Sequence, residues 1–248
     1  MSNRLAEQAV ISLGKTGDPR AREPLSRLFR EAEPGSWQQE CLAVALGRPG
    51  DPAAIPALKD RLKSGNHGDG APPICPYYMN TEEAAQALAR IGRPALPVLF
   101  DSLDWRYGHT ADYVCLALAQ IGDPSVLASI TPLLQHPSDR TRHHAAIALG
   151  RLGDPRAIPS LRRAIGDPSD YVKVGAAEAL WRLGEKEYLS VIIGVLRGGA
   201  EYWHREAAAE TLAHLDGPRA KAALREALHD PDSHVRRTAK DALARLRR

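Results

Sequence analysis

The sequence predicts an all-α solenoid in which about seven helix pairs, preceded by a half-repeat, stack one after another along the chain. The composition argues against most β-folds, since only 5% of the 248 residues are aromatic and 44% are hydrophobic, whereas strands favour β-branched and aromatic side chains. A short phrase recurs at intervals of 33, 42, 30, 31, 31 and 32 residues. Each interval has room for two short helices, and no unit of that size can bury its own apolar face, so neighbouring units must stack.

The recurring phrase ends one helix and begins the next. In LGDPRAIPSL at 152–161, the glycine is placed to adopt the left-handed conformation that ends a helix. The aspartate that follows can cap the next helix, and the proline fits its first turn, where no N–H is needed. The residues at the glycine position are Gly17, Gly50, Gly92, Gly122, Gly153, Gly184 and Asp216.

The elements follow in chain order from the opening half-repeat at residues 4–13. The first helices of the pairs begin in the phrases at 13–25, 46–58, 91–99, 121–133, 152–161, 183–192 and 215–224. A second helix follows each first helix, and the last of them ends at Leu246. Second helices carry small side chains such as Ala176 and Ala177, which allow neighbouring helices to approach closely. The pattern predicts a single domain at 1–248 with one irregular inserted loop at 64–80.

The repeat phrases also carry a family resemblance. The segment LGDPRAIPSLRRAIGDPSDYVKVGAAEALWRLG at 152–184 resembles the phycobilisome-lyase type of HEAT-like repeat, and related phrases cover nearly the whole chain. The resemblance implies a right-handed superhelix, with first helices on the convex side and second helices lining a concave groove. Such repeats occur in bilin lyases and isomerases, in deoxyhypusine hydroxylase and in proteins that only bind a partner. The fold therefore leaves the activity open.

One face of each second helix is expected to look into this groove. In the second helix of the 167–184 unit, the positions Tyr171, Val174, Gly175 and Glu178 lie opposite an apolar stripe, and we call their side the second-helix face. The stripe, which we expect in the core, consists of Val172, Ala176, Ala179, Leu180 and Leu183. The column equivalent to Tyr171 contains Arg4, Trp37, Met79, His109, Arg140, Tyr171, Trp203 and His234. The column equivalent to Val174 contains Glu7, Glu40, Glu82, Asp112, His143, Val174, Glu206 and Arg237. The next column contains Gln8, Cys41, Glu83, Tyr113, His144, Gly175, Ala207 and Thr238.

The character of these columns predicts a binding surface for a small molecule, a peptide or a protein. Large aromatic residues alternate with His and Arg in the first column, and carboxylates dominate the first half of the second, which favours a cationic or hydrogen-bond-donating ligand. The alternative is a plain hydrated helix surface. The residues predicted to bind are Trp37, Glu40, Tyr77, Tyr78, Glu82, His109, His144, Tyr171, Trp203 and Glu206.

A second interpretation is an enzyme of the lyase or isomerase type that acts on a small or conjugated substrate in the groove. Asp112, Tyr113 and His143 come from successive second helices and would then handle protons as catalytic residues. A third, weaker interpretation is a metal-dependent oxygenase, because carboxylates and imidazoles on neighbouring helices can hold iron. The sequence contains neither HExxH nor the repeated His-Glu dipeptides of deoxyhypusine hydroxylase, so we predict no metal site and no cofactor.

The loop at 64–80 is the one irregular part of the repeat pattern. Its Gly and Pro content predicts a loop, and its apolar residues, Tyr77 and Tyr78 among them, are unusual for a mere spacer. Long insertions in compact domains often serve as lids or binding loops. We therefore expect it to cover the groove near Glu82; the alternative is a loop that folds back on the neighbouring helices.

Net charge and hydropathy limit the classes of partner that we expect. The formal net charge is only +3, and the predicted groove is acidic over its first half, so a nucleic-acid partner is not expected. No stretch approaches the ~20 apolar residues of a membrane span. With three cysteines in no CxxC pair, the expected compartment is the cytoplasm.

Overall fold

A computed structural model describes residues 12, 18–33, 36–47, 50–64, 81–103, 110–215 and 217–246. Over these residues the backbone forms α-helices and short 3₁₀ turns, with no strand. The predicted all-α, HEAT-like solenoid is thus confirmed as the fold class. The predicted loop at 64–80, including Tyr77 and Tyr78, lies outside the described residues except for Ser64.

The chain divides into an N-terminal unit, Met1–Val126, and a C-terminal unit, Leu127–Arg248. The helices of the N-terminal unit are α1 (Arg22–Glu31), α2 (Trp37–Gly47), α3 (Ile55–Ser64), α4 (Thr81–Ile91), α5 (Leu96–Asp101) and α6 (Thr110–Ile121). The boundary falls within α7 (Val126–Ile130). The helices of the C-terminal unit are α8 (Asp139–Leu152), α9 (Ile158–Ala164), α10 (Asp170–Arg182), α11 (Leu189–Gly198), α12 (Tyr202–Leu212), α13 (Pro218–Glu226) and α14 (Ser233–Arg245).

Each unit is built from first and second helices that pack in pairs. In the N-terminal unit the second helix α4 packs between α2 and α6, and in the C-terminal unit the second helices α8, α10, α12 and α14 pack in that order. The first helices α9, α11 and α13 pack against the second helices that follow them. Second helices from successive repeats are therefore direct neighbours within each unit, as the repeat pattern predicts.

The glycines of the repeat phrase end the second helices as predicted. Backbone φ angles of +76°, +80°, +69°, +72° and +103° occur at Gly50, Gly92, Gly122, Gly153 and Gly184, in the left-handed region that glycine enters without a steric penalty. At the last phrase, the glycine lies one residue beyond the predicted position Asp216: Gly217 has a φ of +145°.

Aspartates of the phrase cap the following 3₁₀ turns. The carboxylate of Asp51 accepts a hydrogen bond from the N–H of Ala53, and that of Asp154 accepts one from the N–H of Arg156. These bonds satisfy N–H groups that the first turn leaves without partners. The local chemistry that separates the second helix of one pair from the first helix of the next is thus the one that the sequence predicts.

The core of the C-terminal unit consists of small aliphatic side chains. Of the predicted core stripe of α10, Val172, Ala176, Ala179 and Leu180 are buried, whereas Leu183, just past the end of the helix, is half-buried. On the opposite side of the same helix, Val174 is also fully buried, because α10 packs against α8 and α12 on both flanks. The second-helix face of α10 is therefore open only in part.

Partly buried ion pairs tie the starts of the second helices to the next repeat. Arg142 of α8 donates two hydrogen bonds, of 2.7 and 2.9 Å, to the carboxylate of Asp167. Arg205 of α12 makes the equivalent pair with Asp230, at 2.9 and 3.0 Å. Both arginines also donate to backbone carbonyls at the end of the preceding loop, so each side chain joins three segments of the unit.

Candidate functional site

The predicted site residues fall on second helices or just before them. In the N-terminal unit, Trp37 and Glu40 belong to α2, Glu82 to α4, and Asp112 and Tyr113 to α6. The side chains of Trp37 and Glu40, and all of His109, lie outside the described residues. In the C-terminal unit, His143 and His144 belong to α8, Tyr171 to α10, and Trp203 and Glu206 to α12.

A row of aromatic and imidazole rings crosses three second helices of the C-terminal unit. The His143 and Tyr171 rings stack with their centroids 3.6 Å apart and their planes 10° apart. Tyr171 in turn meets Trp203 edge to face, at 5.9 Å between centroids. His144 packs against His143 in a T-shaped contact at 5.1 Å. The structure thus brings together all four C-terminal ring residues that the sequence predicts.

The imidazole of His143 is buried and uncharged at neutral pH. The residue is 8% exposed, and burial, the largest effect, lowers its pKa from 6.5 to about 4. Its Nδ1 lies 2.8 Å from the carbonyl oxygen of Tyr171. Because a carbonyl only accepts, Nδ1 carries the proton in the neutral ring and Nε2 carries the lone pair.

Gly175 makes room for this ring. A Cβ at position 175 would lie 2.7 Å from Nδ1 of His143 and 3.1 Å from its carbonyl oxygen. Glycine inside a helix costs roughly 0.5–1 kcal/mol relative to alanine. The helix α10 therefore accepts a less favourable residue at the one place where the imidazole lies flat against its backbone.

We expect Gly175→Ala to displace the His143 ring and to raise the His143 pKa from about 4 toward its ordinary 6.5. The added methyl group opens the stack with Tyr171 and admits water, which removes the cost of charging a buried imidazole. NMR titration of the histidine ring protons would measure the shift.

The same change alters the dependence of stability on pH. A folded-state pKa below the unfolded one means that protons favour the unfolded chain, so the wild type loses stability as the pH falls from 6.5 toward 4. The Gly175→Ala variant should lose less over that range. Gly194→Ala, at a helix position with no atom within 4 Å of the added Cβ, serves as the control and should leave the His143 pKa unchanged. An unaltered pKa in Gly175→Ala would contradict the close fit.

The acidic residues of the N-terminal unit lie in two different environments. Glu82 is exposed and accepts a hydrogen bond from Nε2 of Gln86 at 3.0 Å. Asp112 is only 1% exposed, and Tyr113 beside it is half-buried. Burial and then the charge of Asp112 raise the pKa of the Cys115 thiol, so Cys115 stays protonated and is not a nucleophile.

The structure describes Asp112 and Tyr113 in one unit and His143 in the other. Their cooperation as catalytic residues therefore stays a prediction. Among the described residues, no group of three or more His, Cys, Asp or Glu side chains is arranged to hold a metal ion. Nor does any described helix combine the length and apolar character that crossing a membrane requires.

A cavity of about 450 Å³ lies between the second helices α12 and α14. Its lining residues are Glu206, Glu210, Ala213, His214, Arg237, Thr238, Asp241, Ala242 and Arg245. The Oγ1 of Thr238 donates to Oε1 of Glu206 across the cavity at 3.1 Å. Of the predicted binding residues, Glu206 reaches this cavity.

Most of the cavity lining lies beyond the three columns predicted for the second-helix face, which are those equivalent to Tyr171, Val174 and Gly175. One helical turn further on, the position of Glu178 in α10 is occupied by Glu210 in α12 and Asp241 in α14. The next turn holds Arg182, His214 and Arg245. Alignment of these two further columns would have identified the charged residues of the cavity.

Comparisons with known proteins add a family and two structural likenesses. A family model described as HEAT repeats matches residues 109–181 and 163–244, and one described as PBS lyase HEAT-like repeat matches residues 5–31. No curated protein matches the chain.

Solved structures resemble the chain in fold. The complex of CpcE and CpcF of phycocyanin lyase from Nostoc sp. PCC7120 contains a chain that is 20% identical, with a TM-score of 0.56 over 92% of this chain and 94% of that one. Kap121p bound to RanGTP is 14% identical, with a TM-score of 0.51 over 97% of this chain and 32% of that one. At these identities the likeness shows a shared architecture of helical repeats.

Proposed function

The chain belongs to the HEAT-repeat family, and we propose that its second-helix face binds a ligand or protein partner through the ring row of the C-terminal unit. The observation that carries the proposal is Trp203, which is 41% exposed although it contacts Tyr171. A large indole that remains open to water at the end of an ordered row of rings offers apolar contact area at little conformational cost. His144 and Tyr171 extend that area toward α8.

Carboxylates beside the rings favour a ligand that is cationic or donates hydrogen bonds. Glu206 lies one turn along α12 from Trp203 and is half-buried. Glu178 of α10 is nearly buried and is neutralised by Arg182 at 2.9 Å. Near the ring row, the negative charge of Glu206 is therefore less neutralised than that of Glu178.

Equivalent residues of the N-terminal unit would form a binding surface on that unit. Trp37, Glu40, Glu82 and His109 occupy equivalent repeat positions, and the loop at 64–80, with Tyr77 and Tyr78, would cover a bound ligand. Likenesses to a phycocyanin lyase complex and to a RanGTP-bound protein support a function in recognition, since both of these structures are macromolecular complexes.

We expect Trp203→Ala to weaken partner binding by roughly 30-fold, because truncation of an aromatic anchor costs about 2 kcal/mol or more. The immobilised wild type and variant would be exposed to an extract of the source organism, and bound molecules would be compared by quantitative mass spectrometry. Leu228→Ala provides the control, since Leu228 is also exposed but lies in the turn between α13 and α14. A partner of the second-helix face should survive the control and be lost from Trp203→Ala. Equal recovery on both variants would refute the proposed surface.

A second candidate function is chemistry of the lyase or isomerase type. It is favoured by the neutral imidazole of His143, whose Nε2 lone pair could take a proton while Nδ1 stays anchored to Tyr171. Asp112 and Tyr113 would be its partners in proton transfer. The capture experiment separates the two candidates: a binding surface returns the bound molecule unchanged, whereas an enzyme changes its covalent structure or its absorption spectrum. His143→Gln would stop that change without abolishing capture.

A further inference from the structure

One repeat position changes size at the cavity between α12 and α14. In α10 this position is Trp181, a partly buried ring that packs against the core of the C-terminal unit. One repeat later it is Ala213, which lines the cavity. A methyl group takes up much less volume than an indole, and Ala242 of α14, which also lines the cavity, is equally small. The cavity volume of about 450 Å³ is within the ~300–1,000 Å³ range of small-molecule sites.

Four polar side chains of the cavity lie in two rows. Glu210 of α12 and Asp241 of α14 form an acidic row, and His214 and Arg245 form a second row one helical turn further along. A turn of four residues separates the rows by about 6 Å along the helices. Within the part of the chain that the structure describes, neither Glu210, Asp241 nor Arg245 has a hydrogen bond or ion pair through its side chain.

The other two charged side chains of the lining, Glu206 and Arg237, are opposite in sign and together add no net charge to the cavity. Glu206 accepts the hydrogen bond of Thr238, and Arg237 donates to Nδ1 of His234 at 3.3 Å. The side chains left for a ligand are two carboxylates and one guanidinium, with an imidazole beside it. A ligand that balances them has two cationic nitrogens and one carboxylate.

The geometry points to a free basic α-amino acid as the ligand of this cavity. Its carboxylate would pair with Arg245, and its cationic nitrogens would lie between Glu210 and Asp241. This inference deepens the proposed function, because it names the ligand class for the α12–α14 part of the second-helix face. The flat ring row and the charged cavity remain separate surfaces, so each is tested by its own variants.

The probe is L-lysine, measured by calorimetry or ligand-detected NMR at concentrations up to about 10 mM, a range that suits a small polar ligand. We expect saturable binding to the wild type, and a loss of about tenfold or more in Glu210→Gln, Asp241→Asn and Arg245→Gln, since each removes a charge-assisted bond. Cadaverine, which lacks the carboxylate, and Nα-acetyl-L-lysine, which lacks the α-ammonium group, should each bind about tenfold more weakly than L-lysine.

Matched controls remove the same charges elsewhere. Glu187→Gln and Arg219→Gln alter exposed residues outside the cavity lining, and L-lysine affinity should change by less than about twofold. Ala213→Trp restores the residue of the preceding repeat and should abolish binding by filling the space. Because that variant could disturb folding, circular dichroism would accompany it, and the three charge variants test the site independently.

Comparison of L-lysine with Gly-Gly-L-lysine tests whether the α-ammonium group is needed, because the α-nitrogen of the tripeptide's lysine is an uncharged amide. The tripeptide should bind about tenfold more weakly than L-lysine, and tighter binding of the tripeptide would contradict the assignment of two cationic nitrogens. The inference is overturned if neither probe binds the wild type saturably, or if binding persists in the charge variants. Trp203→Ala should retain L-lysine binding, so failure of the ring row as a partner surface and failure of the cavity are distinguishable.

Discussion

Replacing Asp167 with alanine should lower the free energy of unfolding of the C-terminal unit by about 3 kcal/mol, the lower end of the cost of breaking a buried ion pair on one side, because this pair is only partly buried. The variant leaves the guanidinium of Arg142, only 13% exposed, without its two carboxylate acceptors. It also leaves the N–H of Ser169 without the 2.9 Å hydrogen bond that the carboxylate accepts. Both losses destabilise the folded state, so we expect this substitution to have a larger effect on the free energy of unfolding than the others described.

Glu226→Ala is the matched control. Glu226 of α13 accepts hydrogen bonds of 2.8 and 3.0 Å from Arg197 of α11, so this pair also joins two repeats, but both side chains are more than half exposed. An exposed pair of this kind contributes only about 0–1 kcal/mol. Urea unfolding followed by circular dichroism should therefore separate the two variants by about 2 kcal/mol or more. Equal midpoints would mean that the Arg142–Asp167 pair stabilises the unit no more than an exposed pair does.

The same ion pair makes stability depend on pH in the acid range. Burial by itself would raise the Asp167 pKa, but hydrogen bonds from Arg142 and the Ser169 N–H, together with the Arg142 charge, hold it below 3.8. Asp230 is held down in the same way by Arg205. A lowered folded-state pKa contributes stability that is present above pH 3.8 and is lost as the pH falls through the folded value. The wild type should lose stability below pH 4 more steeply than Asp167→Ala.

Local chemistry was the part of the fold that the sequence could predict. The effects of glycine at the end of a helix, of aspartate at the following cap and of proline in the first turn extend over only a few residues. The conformation at Gly153 and the cap at Asp154 could therefore be predicted from the sequence alone. The one displaced position, Gly217 in place of Asp216, follows from the same chemistry, because only glycine adopts that φ without strain. The row from Tyr171 to Trp203 was predictable for a different reason: equivalent positions of adjacent repeats must be spatial neighbours.

What depends on the neighbouring helix could not be predicted in the same way. Val174 was expected on an open face, yet it is buried because α10 is flanked on both sides. The stack of His143 on Tyr171 requires Gly175 on a different helix, a relation that appears only once α8 and α10 are packed. The cavity likewise lies where two repeats differ, with Trp181 in one and Ala213 in the next. Alignment of the features that the repeats share does not reveal such a difference.

Replacing Gly150 with alanine should destabilise the C-terminal unit by about 2–3 kcal/mol, even though alanine is the better helix former. A Cβ at position 150 of α8 would lie 2.5 Å from Cα and 2.7 Å from Cβ of Ala179 in α10. The obstructing atoms belong to the backbone and to a methyl group, so no side-chain rotation relieves the overlap, and α8 and α10 would have to separate. Gly47 meets Ala87 in the same way in the N-terminal unit, with a Cβ–Cβ distance of 2.6 Å.

Gly194→Ala is the control, and its effect on the free energy of unfolding should have the opposite sign. Gly194 lies within α11, is exposed, and has no atom within 4 Å of an added Cβ, so alanine there should stabilise the unit by about 0.5–1 kcal/mol through helix propensity alone. Both variants make the same chemical change inside a helix, and urea unfolding of each would give the two free energies. If Gly150→Ala also stabilised the unit, α8 and α10 could move apart at no cost, and the spacing of the second helices would be set by something other than their small residues. A loss at Gly150 beside a gain at Gly194 would attribute the cost to helix approach, and the same close approach brings His143 onto Tyr171.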